Sequence, residues 1–327
     1  MKKFLSALTL LLLFSLLLPS CSSGLTAPES KSPMETESQE EKKEKEEQET
    51  KPDMMQKQDP KDDDVLNILM IGNSYCYYYV EELYGMAEAA GIEMLVCNAY
   101  YSGCPLNKHW EWWHTDEHNY QYFETDHRGR KKYDHFSLRQ CLARENWDVI
   151  TLQEGNGSYR RGGLEGIRKE VEPLGKLLGV IKEQFPMSDY YWHCTWVPEV
   201  GNYNASSNFR IETKEDEMAW QDAKITIAKE IREQYGLPYI PTGQAWADAR
   251  YNPVIGNRLC LRKSKPDDTS HDGDLGGGQY LNACVWFEML TGQSCIGNTY
   301  RPDYELSEEK ISILQEAAHK AVIAERG

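Results

Sequence analysis

No two of the nine cysteines stand as C-x-x-C, so neither a zinc ribbon nor a dithiol redox motif is written in this chain. No apolar run reaches membrane-spanning length. The longest, Leu5–Leu18, is too short and is flanked like a targeting segment. No basic cluster rises above a formal net charge of −16, which argues against nucleic-acid binding, since phosphate contacts need Lys and Arg. No internal repeat is visible. Between Thr26 and Asp64 apolar side chains nearly vanish, and Glu, Lys, Gln, Ser and Asp take their place. Such a stretch cannot bury enough surface to offset the entropy of ordering, and it reads as a solvated tether.

At the start of the chain, Lys2 and Lys3 precede the Leu-rich run, which ends in Leu18-Pro19-Ser20-Cys21. This resembles a bacterial lipoprotein signal, and the resemblance implies lipidation of Cys21. The expected organisation is a signal peptide over 1–21, a charged tether over 22–64 and one domain over 65–327. The expected location is the cell envelope, anchored to a membrane by lipid, with the domain extracytoplasmic. Two glycosylation-type sequons, at Asn156 and Asn204, carry no weight behind a signal of this kind.

Beyond the tether, apolar strand patterns alternate with helical ones. Strands are expected over 67–72, 93–98, 147–152, 190–196 and 238–241, and helices over 80–90, 136–144, 164–184, 214–235, 278–290 and 307–324. Alternation of this kind predicts a three-layer α/β/α sandwich around a mostly parallel, flavodoxin-like five-stranded sheet. Cys141, Cys194 and Cys284 lie in apolar patterns and read as small core residues.

Two polar blocks interrupt this pattern. The first is Gly72-Asn73-Ser74, closing an apolar strand and opening a helical stretch, with Gly72 expected to let the backbone turn sharply. Ligands of open α/β sheets bind beyond the carboxyl ends of the strands, so Ser74 falls where chemistry is placed; a Ser there also serves as a plain helix cap. The second is Asp267-Asp268-Thr269-Ser270-His271-Asp272-Gly273-Asp274. One loop can present Asp268 and His271 together, and a serine hydroxyl needs an imidazole to take its proton and a carboxylate to fix the tautomer of that imidazole. The same loop also reads as a surface turn or a weak cation site, although the closing Glu of a calcium loop is missing.

Ser74, followed late in the chain by Asp268-x-x-His271 and then Gly276, resembles the SGNH or GDSL-like hydrolases. Gly-Asn-Ser together with Gly103-Cys104-Pro105-Leu106, His109-Trp110 and the strand Trp147–Gln153 is closer to a less characterised branch of that family. The resemblance implies a nucleophile at Ser74, a general base at His271 and an orienting acid at Asp268. It also implies an oxyanion hole from the N–H groups of Ser74 and Gly103 with Asn156. Glu154 stands where the family block has Gly, and Gln153 is an alternative third donor. No cofactor and no metal is expected.

The aromatic stretch Trp110-Glu111-Trp112-Trp113-His114 either packs beneath a loop or offers faces to a sugar, which makes His109, Trp110 and Trp113 candidate substrate contacts. His114 and His118 have i, i+4 spacing, but no third ligand completes a metal set. The expected activity is that of an exported, lipid-anchored serine esterase removing acyl groups, acetyl first, from carbohydrate or related esters. Its partners are then a small-molecule or glycan ester and a membrane, with no nucleic acid. The alternatives are a lipase or thioesterase on the same triad, or a non-catalytic surface glycan-binding lipoprotein.

Overall fold

The structure, a computed structural model, describes residues 64–198, 200–201, 203–204, 209–255, 259 and 277–327. The expected signal, Cys21 and the tether up to residue 63 lie outside these residues, as do Asp268, His271 and Gly276.

The central strand is β1 (Leu66–Gly72), whose residues beyond the first are all buried. Successive strand side chains point to opposite faces. Ile68 and Met70 accordingly enter one apolar core, and Leu69 and Ile71 enter the other. A strand covered on both sides must be apolar throughout, which is the origin of its unbroken hydrophobic run.

The chain continues through α1 (Val80–Ala89), β2 (Met94–Tyr100), α2 (Leu106–Thr115), β3 (Tyr120–Asp126), β4 (Gly129–Phe136), α3 (Leu138–Leu142) and β5 (Val149–Gln153). Next come α4 (Gly157–Val171), α5 (Leu174–Gln184), β6 (Asp189–His193) and a two-residue ribbon, β7 (Tyr203–Asn204) with β8 (Phe209–Arg210). The described elements end with α6 (Lys214–Tyr235), β9 (Tyr239–Ile240), α7 (Thr242–Arg250), α8 (Gly277–Thr291) and α9 (Glu308–Arg326).

The main sheet runs β4-β3-β2-β1-β5-β6-β9. Strands β2, β1, β5, β6 and β9 are parallel, in the flavodoxin-like order expected of them. Helices α1, α7, α8 and α9 contribute to the core on one face, and α2 to α6 to the core on the other. Helix α8 is buried on nearly every side, which explains why its sequence is mostly apolar all round, with Gln279, Asn282 and Glu288 as its buried polar residues. Among the described residues, no helix is long and apolar enough to cross a membrane.

The expected fold class holds, with four differences in detail. The sheet has seven strands rather than five, because β3 and β4 add an antiparallel hairpin beyond β2. Gly129, at φ +90°, takes the left-handed position at its turn. The aromatic stretch Trp110–His114 lies on a helix, α2. The single helix expected over 164–184 is two, since Pro173 caps the second and cannot continue the first. Helix α7, directly after Pro241, was not expected at all.

Candidate active site

The first polar block sits at the carboxyl end of β1. There the strand order reverses, between β1 and β5, the crevice in which such sheets bind ligands. Residues Ser74–Cys76 form one 3₁₀ turn, with Asn73 as its N-cap. The Asn73 side chain accepts the Tyr75 N–H at 3.2 Å, and its main-chain carbonyl accepts the Cys76 N–H at 3.0 Å. From below, Asn98 of β2 donates to the Cys76 carbonyl at 2.6 Å. Ser74 is half-buried on this clamped turn.

Asn73 also gathers the neighbouring strand ends. Its amide donates to the Cys104 carbonyl at 2.9 Å, and its oxygen accepts from Gln153 at 2.7 Å. A Cβ on Gly155 would lie 3.1 Å from the Asn73 amide nitrogen, so that glycine lets the β5–α4 loop close against it. The Tyr101–Cys104 turn, closed by Cys104 N–H to Tyr101 O at 3.1 Å, carries Gly103 at φ +65° and is exposed at its tip. The Tyr101 N–H reaches the Gly72 carbonyl at 3.1 Å. Three candidate oxyanion segments, around Ser74, Gly103 and Asn156, therefore meet about one asparagine and its turn.

Gly72 has a different job from the sharp turn that the Gly-Asn-Ser block suggests. Its φ is not in the left-handed region. A Cβ there would lie 2.6 Å from Gln153 Cδ, so Gly72 leaves room for Gln153 to cross beneath β1. The Gln153 side chain is buried, with its amide on Asn73 and its oxygen 3.0 Å from His193 Nδ1. Both amide hydrogens of Asn156 have acceptors as placed, the Tyr75 hydroxyl and the Trp196 carbonyl at 3.4 Å. Service to an oxyanion requires Asn156 to leave the Tyr75 hydroxyl.

Glu154 is buried, and its carboxylate accepts the Leu106 N–H at 2.9 Å, capping the start of α2. Burial pushes its pKa up to about 7, against the pull of the Leu106 N–H and of Lys224. Lys224 of α6 is buried beside the same loop and donates to the Gly155 carbonyl at 3.2 Å and to the Thr195 hydroxyl. Burial brings its pKa down to about 8. Glu154 thus ties the β5–α4 loop to α2.

Of the candidate substrate contacts, His109 and Trp113 are buried in the second core. His109 stacks on Tyr120, with Nδ1 2.7 Å from the Tyr120 hydroxyl, and burial lowers its pKa to about 4. Arg139 lies 4.2 Å above the Trp113 ring. As placed, neither ring offers a face to a substrate, because α2 turns both inward. Trp110 is half-buried, edge-on to His114. The exposed aromatic near the site is Tyr101, 41% accessible and backed edge-on by Trp112 at 4.9 Å. No group of metal-ligating residues occurs among the described residues. A cavity of about 540 Å³ opens between Asn67, Tyr84, Glu93 and Arg128, at the amino ends of β1 and β2, the end of the sheet away from Ser74.

His193, Thr242, Lys224 and Trp196 escaped the sequence reading. Lys224, inside a helix, had no local signal; that of the others is position, since His193 and Trp196 lie in the strand expected over 190–196 and Thr242 follows Pro241, at strand ends where polar side chains are still buried.

Residues 67–321 match the model of a family described as a domain of unknown function, DUF4886. No curated protein matches. Among solved structures, a DUF4886 family protein from Bacteroides uniformis is 27% identical, with a TM-score of 0.67 over 80% of this chain and 95% of that one. A protein provisionally described as a GDSL-like lipase, from Parabacteroides merdae, is 18% identical, with a TM-score of 0.44 over 72% of this chain and 99% of its own. A catalytic mutant of an acetylxylan esterase from Geobacillus stearothermophilus is 15% identical, with a TM-score of 0.38 over 63% and 89%.

Proposed function

The chain belongs to the DUF4886 family, and from that premise we propose that it is a serine-dependent carboxylic ester hydrolase of the SGNH type. The observation that carries this reading is the convergence on Asn73: the Ser74 turn, the Gly103 turn and the β5–α4 loop meet at the topological switch point. In the proposed reaction the Ser74 hydroxyl attacks the ester carbonyl while His271 takes its proton, and Asp268 holds His271 in the productive tautomer. The tetrahedral oxyanion is met by the N–H groups of Ser74 and Gly103 and by Asn156 once its amide turns from Tyr75. His271 then protonates the leaving alcohol, and water, deprotonated by His271, releases the acid and restores Ser74.

We propose an O-acylated carbohydrate as the substrate, with acetyl as the acyl group. What supports the sugar is Tyr101, an exposed ring on the same turn as Gly103 and braced by Trp112. Glu154 offers no support for a degenerate site, since its carboxylate is committed to the start of α2. Export and lipidation at Cys21 complete the proposal; Cys21→Ala should then release the protein from membrane fractions.

The test is a panel of p-nitrophenyl esters of rising chain length, with Ser74→Ala and His271→Ala as controls. Acetate turnover that falls steeply with chain length and is lost in both variants is expected. A preference for long chains moves the substrate class to lipids. Turnover that survives Ser74→Ala overturns the reading.

A further inference from the structure

One buried chain of hydrogen bonds crosses the ends of all five parallel strands. Thr242 follows β9, His193 ends β6, Gln153 ends β5, Asn73 follows β1, and the Cys104 carbonyl lies in the turn after β2. Its heavy-atom positions fix where each proton lies. A backbone N–H only donates, so the Asn73 atom facing Tyr75 N–H is the oxygen. A backbone carbonyl only accepts, so the atom facing Cys104 O is the nitrogen. The Gln153 atom that meets the Asn73 oxygen must then be its nitrogen, which leaves the Gln153 oxygen facing His193 Nδ1. Nδ1 therefore carries a hydrogen.

At the other side of the ring, Nε2 lies 2.8 Å from the Thr242 hydroxyl. Burial, seconded by the charge on Lys224, keeps His193 neutral, so Nε2 accepts and Thr242 donates. Thr242 Oγ1 also lies 2.9 Å from the Cys194 carbonyl, which receives the Gly243 N–H at 2.9 Å in any case; against a bare Nε2 the single hydroxyl hydrogen must turn to the ring, since otherwise two lone pairs would face each other. With the ring neutral, one proton arrangement satisfies every member. The ring is further held edge-on to Trp286 at 5.0 Å.

We propose that His193 and Gln153 are positioning residues for Ser74, with His193 locked as the neutral Nδ1–H tautomer between Gln153 and the Thr242 hydroxyl. The rate consequences rest on the esterase reading; the tautomer does not. Through Gln153 the ring fixes the orientation of the Asn73 amide, and Asn73 holds both the nucleophile turn and the turn that carries Gly103. The arrangement also assigns a reason to Asn rather than Asp at position 73, because a carboxylate would set an oxygen against the Cys104 carbonyl.

Two measurements on the purified protein test this. In ¹⁵N-histidine NMR at pH 7, with His193 assigned by its loss in His193→Gln, Nδ1 should be protonated and Nε2 bare. A signal from the Nε2–H tautomer or from imidazolium overturns the lock whatever the activity. In kinetics on p-nitrophenyl acetate, Gln153→Glu presents an oxygen to Asn73 in place of a donor, and Thr242→Val removes the donor to Nε2. Each should lower kcat by about tenfold or more with KM changed less than about twofold, while Thr242→Ser should stay within about twofold of wild type. Wild-type kcat in folded Gln153→Glu and Thr242→Val overturns the positioning role. Unchanged turnover in Ser74→Ala removes the esterase reading and the positioning role together, and the tautomer is then decided by NMR alone.

Discussion

Leu177 on α5 and Gln153 at the end of β5 are almost equally lost to solvent, at 0% and 2% exposure. Leu177 lies in an apolar core among Leu174, Leu178 and Ile181 of its own helix. Gln153 lies in a polar seam with Asn73, His193 and Thr242, beside Glu154, Lys224 and Thr195. The faces of the sheet gain stability from water-free apolar area. Burying polar groups at its carboxyl edge gains little net stability even when every bond is made, and costs dearly when one is missing. A seam of that kind specifies geometry more than it adds stability. The two regions should therefore answer differently to substitution.

The largest effect is expected at Ser74. Ser74→Ala should lower kcat on a good ester by roughly a thousandfold or more, with the melting temperature little changed. Loss of folding in place of loss of rate would erase the distinction between edge and face. On the face, Leu177→Ala removes a fully buried side chain and should cost roughly 3 kcal/mol of unfolding free energy. The folded variant should keep wild-type kcat, and denaturant unfolding beside kinetics checks both halves.

Asn156→Ala should come next, with kcat down about a hundredfold and KM nearly constant, since in the proposed mechanism its amide meets the oxyanion only in the transition state. A variant that instead turns over faster would mean that the bond to Tyr75 restrains the site.

The smallest effect is electrostatic. Glu154 and Glu82 are both pushed up by burial to about 7 from an ordinary 4.5. Between these values the folded protein holds protons that the unfolded chain has released, so their contribution to stability is full below about 4.5 and declines as pH rises toward 7. Lys224, lowered from 10.5 to about 8, acts in the opposite sense, and its contribution rises between about 8 and 10.5. Glu154→Gln should make the decline between pH 4.5 and 7 shallower, with Glu82 supplying the remainder. Urea midpoints measured across that range would show an unaltered slope if Glu154 is not the group responsible.

The same contrast explains what was legible in the amino-acid sequence. The faces write themselves as periodicity. The run through β1 and the helix over Lys214–Tyr235, closed by Gly236 at φ +67°, could be read at nearly their true bounds. The hairpin β3–β4 was harder, because its alternation is broken at Phe123 and β4 is largely exposed and charged. The edge writes itself as single polar letters far apart. Ser74 stood out through its Gly-Asn-Ser block, but the chain from Asn73 to Thr242 spans 169 positions and has no local pattern. Gly72 illustrates the limit: its value lies in the space it leaves for Gln153, eighty-one positions onward, and no local turn rule reports that. His109 and Trp113 were misleading for the converse reason, since residue types that suit a binding surface also suit a core once a helix turns them inward.

The central claim is that Ser74 is an activated nucleophile. It is tested most directly by exposing the protein to a fluorophosphonate and mapping the adduct by peptide mass spectrometry. A single stoichiometric adduct on Ser74, lost in Ser74→Ala and sharply slowed in His271→Ala, is the expected result. An adduct on another residue, or none at all while ester hydrolysis persists, would contradict the account.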